Sequence, residues 1–179
     1  MKLGILGTLS IGAMLVGQVT FAETVKIGFV TTLTGGAGAI GNDMRDAVEL
    51  ALDHLGRKMG SSNVKMFYED DTFKPDVGKL KTEKLVKKDK VHFVTGYIWS
   101  HVLMASRNSV VGKGPFMITS NAGPGPVAGK LCHEDFFSTS WQNDQTTMAM
   151  GEVLNQLGIK DLYIMAPNYA ADTGMVSRP

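Results

Sequence analysis

The chain has 179 residues, of which 44% are hydrophobic and 20% are charged, a balance typical of a globular protein with one substantial core. Its 18 Lys and Arg residues nearly match its 17 Asp and Glu residues, so the charge gives no argument for a nucleic-acid partner. Its four histidines fall on different predicted elements, and Cys132 is its only cysteine. The sequence therefore predicts no metal site, no cofactor and no internal disulfide.

The first 22 residues have the pattern of a secretory signal peptide. Lys2 precedes an uncharged apolar run, and Thr20-Phe21-Ala22 ends it with a small residue. Cleavage after Ala22 would release a periplasmic or extracellular protein that begins at Glu23. An uncleaved membrane anchor is the alternative, because the run has nearly the length that spans a membrane.

Short apolar runs alternate with helical stretches along the rest of the chain. The predicted strands are VKIGFV (25–30), VKMFY (64–68), VHFVTG (91–96), PFMIT (115–119), FFSTS (136–140) and DLYIMAP (161–167). Helices are predicted to begin near Asn42, Pro75, Ser100 and Asn143 or Asp144, and the second would turn Val77, Leu80, Leu85 and Val86 inward. This alternation predicts an α/β fold with a doubly wound parallel sheet, in which ligands bind beyond the carboxyl ends of the strands.

The loop after the first strand contains G-x-G-x-x-G at Gly36, Gly38 and Gly41, the pattern of dinucleotide-binding proteins. Three features disfavour that interpretation. Residues 31–35 separate the buried end of the strand from the first glycine, Asn42 is predicted to cap the helix only after the last glycine, and the acidic residues 69–71 lie beyond the usual spacing. The loop is interpreted instead as one that brings backbone N–H groups and the hydroxyl of Thr32 or Thr34 to a ligand. A purely connecting loop and an NAD-dependent oxidoreductase remain the alternatives.

Ser100 lies at the predicted start of the third helix. There its hydroxyl and backbone N–H can bind an anionic group such as a carboxylate, and Trp99 and Tyr97 would supply aromatic walls. His101 beside it suggests a hydrolase, but the G-x-S-x-G elbow is absent and the two side chains should point apart. A serine that only caps the helix is the competing interpretation.

Several segments, in order, resemble a known family. They are KIGFVTTLTGGAGAIGNDMRDAVELALDHL, FYEDDTFKP, FVTGYIWSHVLMA, PFMITSNAGPGPVAG and FFSTSWQNDQ. With the predicted signal peptide they resemble the extracellular substrate-binding proteins of branched-chain-amino-acid-type ABC transporters, which have the type I periplasmic-binding-protein fold. The resemblance extends from about Val25 to about Met175.

That resemblance implies a two-lobed architecture in which a ligand binds between the lobes. It places the signal peptide at residues 1–22, the first lobe at 23–140, and a hinge crossing with an incomplete second lobe at 141–179. The chain is therefore expected to be truncated relative to the family, with apolar surface exposed at Leu162, Ile164 and Met165.

The function that the resemblance implies is transport rather than catalysis. The protein is expected to capture a small carboxylate-bearing solute, either an amino acid or an aromatic or other organic acid, and to deliver it to the membrane permease of an ABC importer. A ligand-sensing receptor domain of the same fold is the alternative, and it would bind a signalling partner instead of a permease.

The resemblance also implies the ligand-binding residues. Ser100 would contact the ligand carboxylate, Tyr169 would cover the ligand from the second lobe, and the loop after the fourth strand would add polar contacts from Ser120, Asn121, Ala122 and Gly123. Ile40 stands where amino-acid-binding members commonly have an aromatic residue. An aromatic or other organic acid is therefore as consistent with the sequence as a branched-chain amino acid.

Overall fold

The computed structural model describes residues 23–166 together with residues 168, 171, 175 and 176. The predicted signal peptide and Tyr169 lie outside these described residues. The strands are β1 (Val25–Thr31), β2 (Lys58–Met59), β3 (Ser62–Asp70), β4 (Phe93–Thr95), β5 (Phe116–Thr119) and β6 (Phe136–Ser138).

The helices are α1 (Gly38–His54), α2 (Pro75–Lys84), α3 (Ser100–Arg107) and α4 (Asn143–Gln156). A π-helical turn, Leu85–Asp89, extends α2. A 3₁₀ turn, Gly125–Ala128, lies in a loop for which the sequence predicts no helix. Within the described part of the chain, no helix is both long and apolar enough to cross a membrane.

The sheet has the strand order β2-β3-β1-β4-β5-β6. Strand β1 pairs in parallel with β3 and β4, the pairs β4–β5 and β5–β6 are also parallel, and the short β2 is antiparallel to β3. Right-handed crossovers then place α1 on one face of the sheet and α2 and α3 on the other, because the two sets of connections run in opposite directions across it. The predicted α/β fold with a parallel sheet is confirmed.

The core lies between the sheet and the α2–α3 layer. Leu85, Val94, Leu103 and Met117 are fully buried there, and each such side chain contributes about 1.5–3 kcal/mol of burial free energy. This core attaches α2 and α3 to the sheet, and the loops that lead into these helices start at the carboxyl ends of the strands.

Two predictions, one about α2 and one about the segment after α4, are wrong. Leu80, predicted to face inward, is 66% exposed. The face of α2 that packs against α3 instead presents Gly78, where an added Cβ would lie 2.4 Å from Cγ1 of Val102. Because Leu80 lies about 200° around the helix from Gly78, it faces solvent.

The predicted strand at 161–167 is the second error. Residues 161–166 form no strand, and no neighbouring strand is present among the described residues to pair with them. An unpaired strand gains neither ladder hydrogen bonds nor a buried face. The expected exposure is confirmed, since Leu162, Ile164 and Met165 are all exposed, Met165 by 87%.

Candidate functional site

Four loops meet at one edge of the sheet. They follow β1, β3, β4 and β5, whose carboxyl ends lie at the same edge because the strands are parallel. Loops at this edge are the usual place for a ligand in an open α/β sheet. The candidate site is therefore the surface formed by residues 32–37, 71–74, 96–100 and 120–124.

The glycine-rich loop enters α1 earlier than the sequence predicts. The helix begins at Gly38, so Asn42 is an internal residue and not the cap. An added Cβ would lie 2.7 Å from the carbonyl oxygen of Leu33 at Gly38 and 1.9 Å from that of Thr32 at Gly41. The glycines thus let the first turn of α1 pack against the end of β1, and the amide of Asn42 adds a 3.0 Å hydrogen bond to the Leu33 carbonyl.

The acidic turn after β3 holds this loop in place. Oδ1 of Asp70 accepts hydrogen bonds from the backbone N–H of Leu33 at 2.9 Å and of Thr72 at 2.9 Å, and Oδ2 accepts one from the hydroxyl of Thr34 at 2.5 Å. Burial alone would raise the pKa of Asp70, but the bonds from Thr34, Leu33 and Thr72 outweigh it and the net pKa is lowered. Asp70 is therefore a structural acceptor for its own chain, not a ribose ligand.

Glu69, the next-to-last residue of β3, has a similar structural role. Its carboxylate forms salt bridges with Lys81, at 2.9 Å, and with Lys84. Burial is the largest influence on Glu69 and would raise its pKa, but the two lysines together lower it. Each of the three acidic residues 69–71 thus has a structural partner, because Asp71 also accepts hydrogen bonds from Thr32 and Phe73.

Asp71 is the centre of a buried network. It is fully buried, and its Oδ1 accepts a 2.5 Å hydrogen bond from the hydroxyl of Thr32 and a 2.9 Å bond from the backbone N–H of Phe73. The indole Nε1 of Trp99 in turn donates to Oγ1 of Thr32 at 2.9 Å. Burial raises the pKa of Asp71, and the bonds from Thr32 and Phe73 offset only part of that rise.

These contacts correct the role expected for the loop hydroxyls. Thr32 is fully buried and bonded to Asp71 and Trp99, while Thr34 donates to Asp70. The prediction that a loop hydroxyl points to a ligand is therefore wrong for Thr32, whereas Thr34 is exposed and its contact with a ligand stays a prediction. A carboxylate-rich turn next to a Thr-rich loop was the sequence signal for this arrangement.

An aromatic pair lies at the same edge. The rings of Phe73 and Trp99 meet edge to face at 4.7 Å and 89°, and Phe73 also contacts the ring of His101 at 5.0 Å. Phe73 is 45% exposed and has φ +65°, next to Thr72 with φ +50°. Non-glycine residues rarely adopt such angles, and those that do often lie at functional sites. Phe73 was not among the residues predicted from the sequence, although its position two residues after Asp71 in an acidic turn could have indicated it.

Ser100 is the first residue of α3, and Trp99 occupies the cap position with an extended backbone. Ser100 is only 2% exposed, and its Oγ accepts a 2.9 Å hydrogen bond from the side-chain amide of Asn143, the first residue of α4. The serine hydroxyl keeps its own proton for donation. The first backbone N–H groups of an α-helix have no partner within the helix, so hydroxyl and amides together can donate to an anion.

The loop after β5 lies beside Ser100, and some of its residues are exposed while others are buried. Ser120 is exposed, and the side-chain amide of Asn121 donates to the carbonyl of Ile98 at 2.9 Å. Ala122 and Gly123 are buried. An added Cβ on Gly123 would lie 2.1 Å from a carbonyl oxygen of the segment that enters α4, so only glycine fits there.

Tyr97 does not line this edge. Its side chain is fully buried in the core cluster, and its hydroxyl hydrogen-bonds with that of Thr82 at 2.6 Å. Burial raises the pKa of Tyr97. Its predicted place in a ligand wall is not supported, because the ring has no surface toward the loops; Trp99 is partly exposed and lies on the open side.

A cavity of about 320 Å³ adjoins the loop after β5. Gly123 is the one predicted site residue among its walls, which also include Trp141, Gln142 and Gln145 at the entry to α4. These residues belong to the hinge crossing expected from the family resemblance, and no ligand contact was predicted for them. In the part of the chain that the structure describes, no group of His, Cys, Asp and Glu could hold a metal ion, and Cys132 is exposed and unpaired.

Comparison with known proteins agrees with this architecture. A sequence profile named Periplasmic binding protein matches residues 24–178. The chain belongs to the periplasmic binding protein family. An ABC-transporter solute-binding protein from R. palustris, solved in complex with benzoate, is 27% identical, with a TM-score of 0.80 over 87% of this chain and 43% of that protein.

Two further relatives support the assignment. An ABC-transporter substrate-binding protein from Sphaerobacter thermophilus is 28% identical, with a TM-score of 0.75 over 87% of this chain and 44% of that protein. The Leu/Ile/Val-binding protein BraC3 of Rhizobium johnstonii is 29% identical over 62% of this chain and 31% of its own length. This chain therefore spans less than half of each. The two solved relatives are ABC-transporter binding proteins and not enzymes, in agreement with the non-catalytic function that the sequence predicts.

Proposed function

We propose that the chain forms the first lobe and the start of the second lobe of an exported solute-binding protein. Its role is to capture a small carboxylate-bearing solute and deliver it to the permease of an ABC importer. The proposal keeps the predicted boundaries, with a signal peptide at 1–22, a first lobe at 23–140 and a crossing with part of a second lobe at 141–179.

The observation that carries this proposal is the arrangement around Ser100. Its hydroxyl lies at the amino end of α3, at the carboxyl edge of the sheet, and is joined to the start of α4 through Asn143. A helix amino terminus attracts anions through its free N–H groups and dipole. A carboxylate bound there would accept hydrogen bonds from the α3 amides and from the Ser100 hydroxyl.

The class of solute follows from the chemistry shared by the relatives. Benzoate is bound by the R. palustris protein, and BraC3 is named for leucine, isoleucine and valine; all four compounds carry a carboxylate. The edge-to-face pair of Phe73 and Trp99, together with the 47% exposed Ile40, favours an apolar or aromatic body next to that carboxylate.

The proposed ligand contacts are the residues predicted from the sequence, without Tyr97. Ser100 binds the carboxylate, Trp99 forms a wall, and the remaining contacts come from Ser120, Asn121, Ala122, Gly123 and Tyr169. Tyr97 is removed because its side chain lies in the core cluster and its hydroxyl hydrogen-bonds with that of Thr82.

Thermal unfolding tests this proposal. Protein purified from expression of the full chain is heated with benzoate, with leucine and with benzamide, the neutral counterpart of benzoate. A ligand at 100 times its dissociation constant adds about 2.7 kcal/mol to the stability of the folded state. We expect a rise in Tm with at least one carboxylate and none with benzamide; an unchanged Tm with every carboxylate would contradict the proposal.

A pair of serine variants locates the contact. Ser100→Ala removes the proposed donor and should abolish most of the ligand-induced rise in Tm. Ser106→Ala is the matched control, because Ser106 is also buried and lies in the same helix. An equal ligand response in both variants would show that the Ser100 hydroxyl does not bind the solute.

The predicted export is tested separately. When the full chain is expressed in a Gram-negative host, the protein recovered from the periplasm should begin at Glu23 by N-terminal sequencing. Retention in the cytoplasm with an intact amino terminus would contradict both the export and the cleavage after Ala22.

A further inference from the structure

One carboxylate lies beneath both members of the aromatic pair. Oδ1 of Asp71 accepts the backbone N–H of Phe73 at 2.9 Å. The same oxygen accepts the hydroxyl of Thr32 at 2.5 Å, and Thr32 accepts the indole N–H of Trp99 at 2.9 Å. Asp71 is therefore joined to Phe73 directly and to Trp99 through one hydroxyl.

The direction of each bond in this network is determined by chemistry. An indole N–H only donates and a carboxylate only accepts, so the Thr32 hydroxyl must accept from Trp99 and donate to Asp71. That orientation places the Thr32 hydroxyl between the indole and the carboxylate, as acceptor of the first and donor to the second. Trp99 and Thr32 are separated by 67 residues, so the network ties two different loops together.

Phe73 needs such an anchor. Its φ of +65° and that of Thr72, +50°, are costly for residues with a Cβ. The two neighbouring carboxylates offset that cost, because Asp70 accepts the N–H of Thr72 and Asp71 accepts that of Phe73. The result is a ring held 4.7 Å from Trp99 although it is 45% exposed.

Asp71 is placed unfavourably for stability alone. Its side chain is fully buried, and its Oδ2 makes no hydrogen bond within the described residues. A buried carboxylate oxygen without a partner carries a desolvation cost. An aspartate in that position is better explained by what it holds in place.

We propose that Asp71 is a positioning residue that, with Thr32, sets the Phe73–Trp99 pair as a rigid aromatic wall of the solute site. This inference rests on the proposed function where it assigns the aromatic pair to a solute site. The positioning of Phe73 and Trp99 by Asp71 and Thr32 does not depend on that function. A wall held in place before binding leaves less side-chain entropy to be lost on binding. The wall selects solutes with a flat or bulky apolar body attached to the carboxylate.

Fluorescence of Trp99 tests the positioning without any ligand. The chain has two tryptophans, so Trp141→Phe leaves Trp99 as the only tryptophan, whose emission is excited selectively at the red edge of the absorption band. In that background we expect Thr32→Val and Asp71→Ala to raise the acrylamide quenching constant of Trp99 about twofold or more, because the indole loses its acceptor or the support of that acceptor. Thr32→Ser and Asp71→Asn keep a hydroxyl and an acceptor oxygen, and should restore the original value.

Thr82→Val is the matched control for lost stability. Thr82 is as buried as Thr32 and its hydroxyl makes two hydrogen bonds, to Gly78 and Tyr97, but it has no contact with Trp99. It should lower the denaturation midpoint and leave the quenching constant unchanged. The positioning role is overturned if the quenching constant of Thr32→Val equals that of the parent. It is also overturned if Thr82→Val raises the quenching constant as much as Thr32→Val does. Thr32→Val also decides the question if Asp71→Ala does not fold.

Ligand binding separates this inference from the proposed function. With benzoate as the probe, Thr32→Val should weaken the affinity roughly tenfold, while Thr32→Ser and Thr82→Val stay close to the parent. If the parent binds no carboxylate, the proposed function fails and the quenching result still decides the positioning role. If the parent and Thr32→Val bind benzoate equally, the positioning inference fails and the proposed function stands.

Discussion

The side-chain amide of Asn143 donates a 2.9 Å hydrogen bond to the hydroxyl oxygen of Ser100, and both residues are buried. They are the first residues of α4 and α3, so the bond joins the starts of two helices. The backbone N–H of Asn143 also donates to the carbonyl of Gly123 at 2.8 Å. The start of α4 is thereby attached to the edge at which we place the solute.

Asn143→Ala should destabilise the chain by about 1–3 kcal/mol, because it removes a buried hydrogen bond and leaves Ser100 without that donor. It should also weaken carboxylate binding, since it frees the orientation of the Ser100 hydroxyl. Urea unfolding measures the first effect. Asn155→Ala, an exposed asparagine of the same helix, is the control and should change the stability little; equal losses would contradict the role of the Ser100 contact.

Gly41→Ala should be severely destabilising. The new Cβ would lie 1.9 Å from the carbonyl oxygen of Thr32, a backbone atom that cannot move alone. We expect a loss of about 3 kcal/mol, at the upper end for overpacking. Gly36→Ala, in the loop just before α1, meets no atom within 4 Å and should be nearly neutral. Circular dichroism during denaturation compares them, and similar midpoints would show that the close approach of α1 to β1 is wrong.

Glu69→Gln should reduce stability in a pH-dependent way. The lysines lower the folded pKa of Glu69 below its ordinary value of 4.5, so its contribution is present above the unfolded pKa and is lost as the pH falls through the folded one. The contribution should be about 1 kcal/mol, because the two lysine side chains are 38% and 42% exposed and partly screened.

The difference in stability between the parent and Glu69→Gln should therefore be full near neutral pH and shrink in acid. Glu152→Gln, on the exposed face of α4, serves as the control. A difference that grew on acidification would contradict the assignment.

Asp71→Asn should show the opposite dependence. Burial raises the folded pKa of Asp71 above its ordinary value of 3.8, with a further rise from Asp70 and an opposing effect from His101. In the window between the unfolded and the folded pKa, the unfolded state loses this proton first, so the aspartate costs stability as the pH rises.

Relative to Asp71→Asn, the parent should become less stable as the pH rises through that window and then level off above it. Urea unfolding of both proteins, started below pH 3.8, measures the slope. A parent that gains relative stability with rising pH would show that the carboxylate is better solvated or better paired than the structure describes.

The strands of the sheet could be predicted from the sequence because the residue composition of a short segment already indicates a strand. The runs at 25–30 and 64–68 are β-branched and apolar, and they became β1 and β3 with one or two residues added at the ends. Leu80 was misplaced because the packing of α2 depends on Gly78, and a glycine carries no hydrophobic signal. The segment at 161–167 shows the reverse case, in which a strand-like sequence has no neighbour to pair with among the described residues.

The candidate site was predictable in position but not in contacts. The start of α3 and the parallel topology placed Ser100 at the carboxyl edge. Thr32, Asp71 and Trp99, however, meet across three loops, and no spacing in the sequence encodes the direction of those hydrogen bonds. Tyr97 has the same amphipathic character as Trp99 but is fully buried in the core cluster. The two residues lie in the loop after β4, where the strand rule that would put positions two apart on one face does not apply.

The central claim is that a carboxylate binds at the amino end of α3, and chemical-shift mapping tests it most directly. Backbone amide resonances of the ¹⁵N-labelled full chain are followed while benzoate, and separately leucine, is added. The account predicts that the largest shifts fall on Ser100, His101, Asn121 and Gly123, with none at Lys58 and Met59 on the distant edge strand. Shifts confined to other regions, or no shifts with either carboxylate, would contradict it.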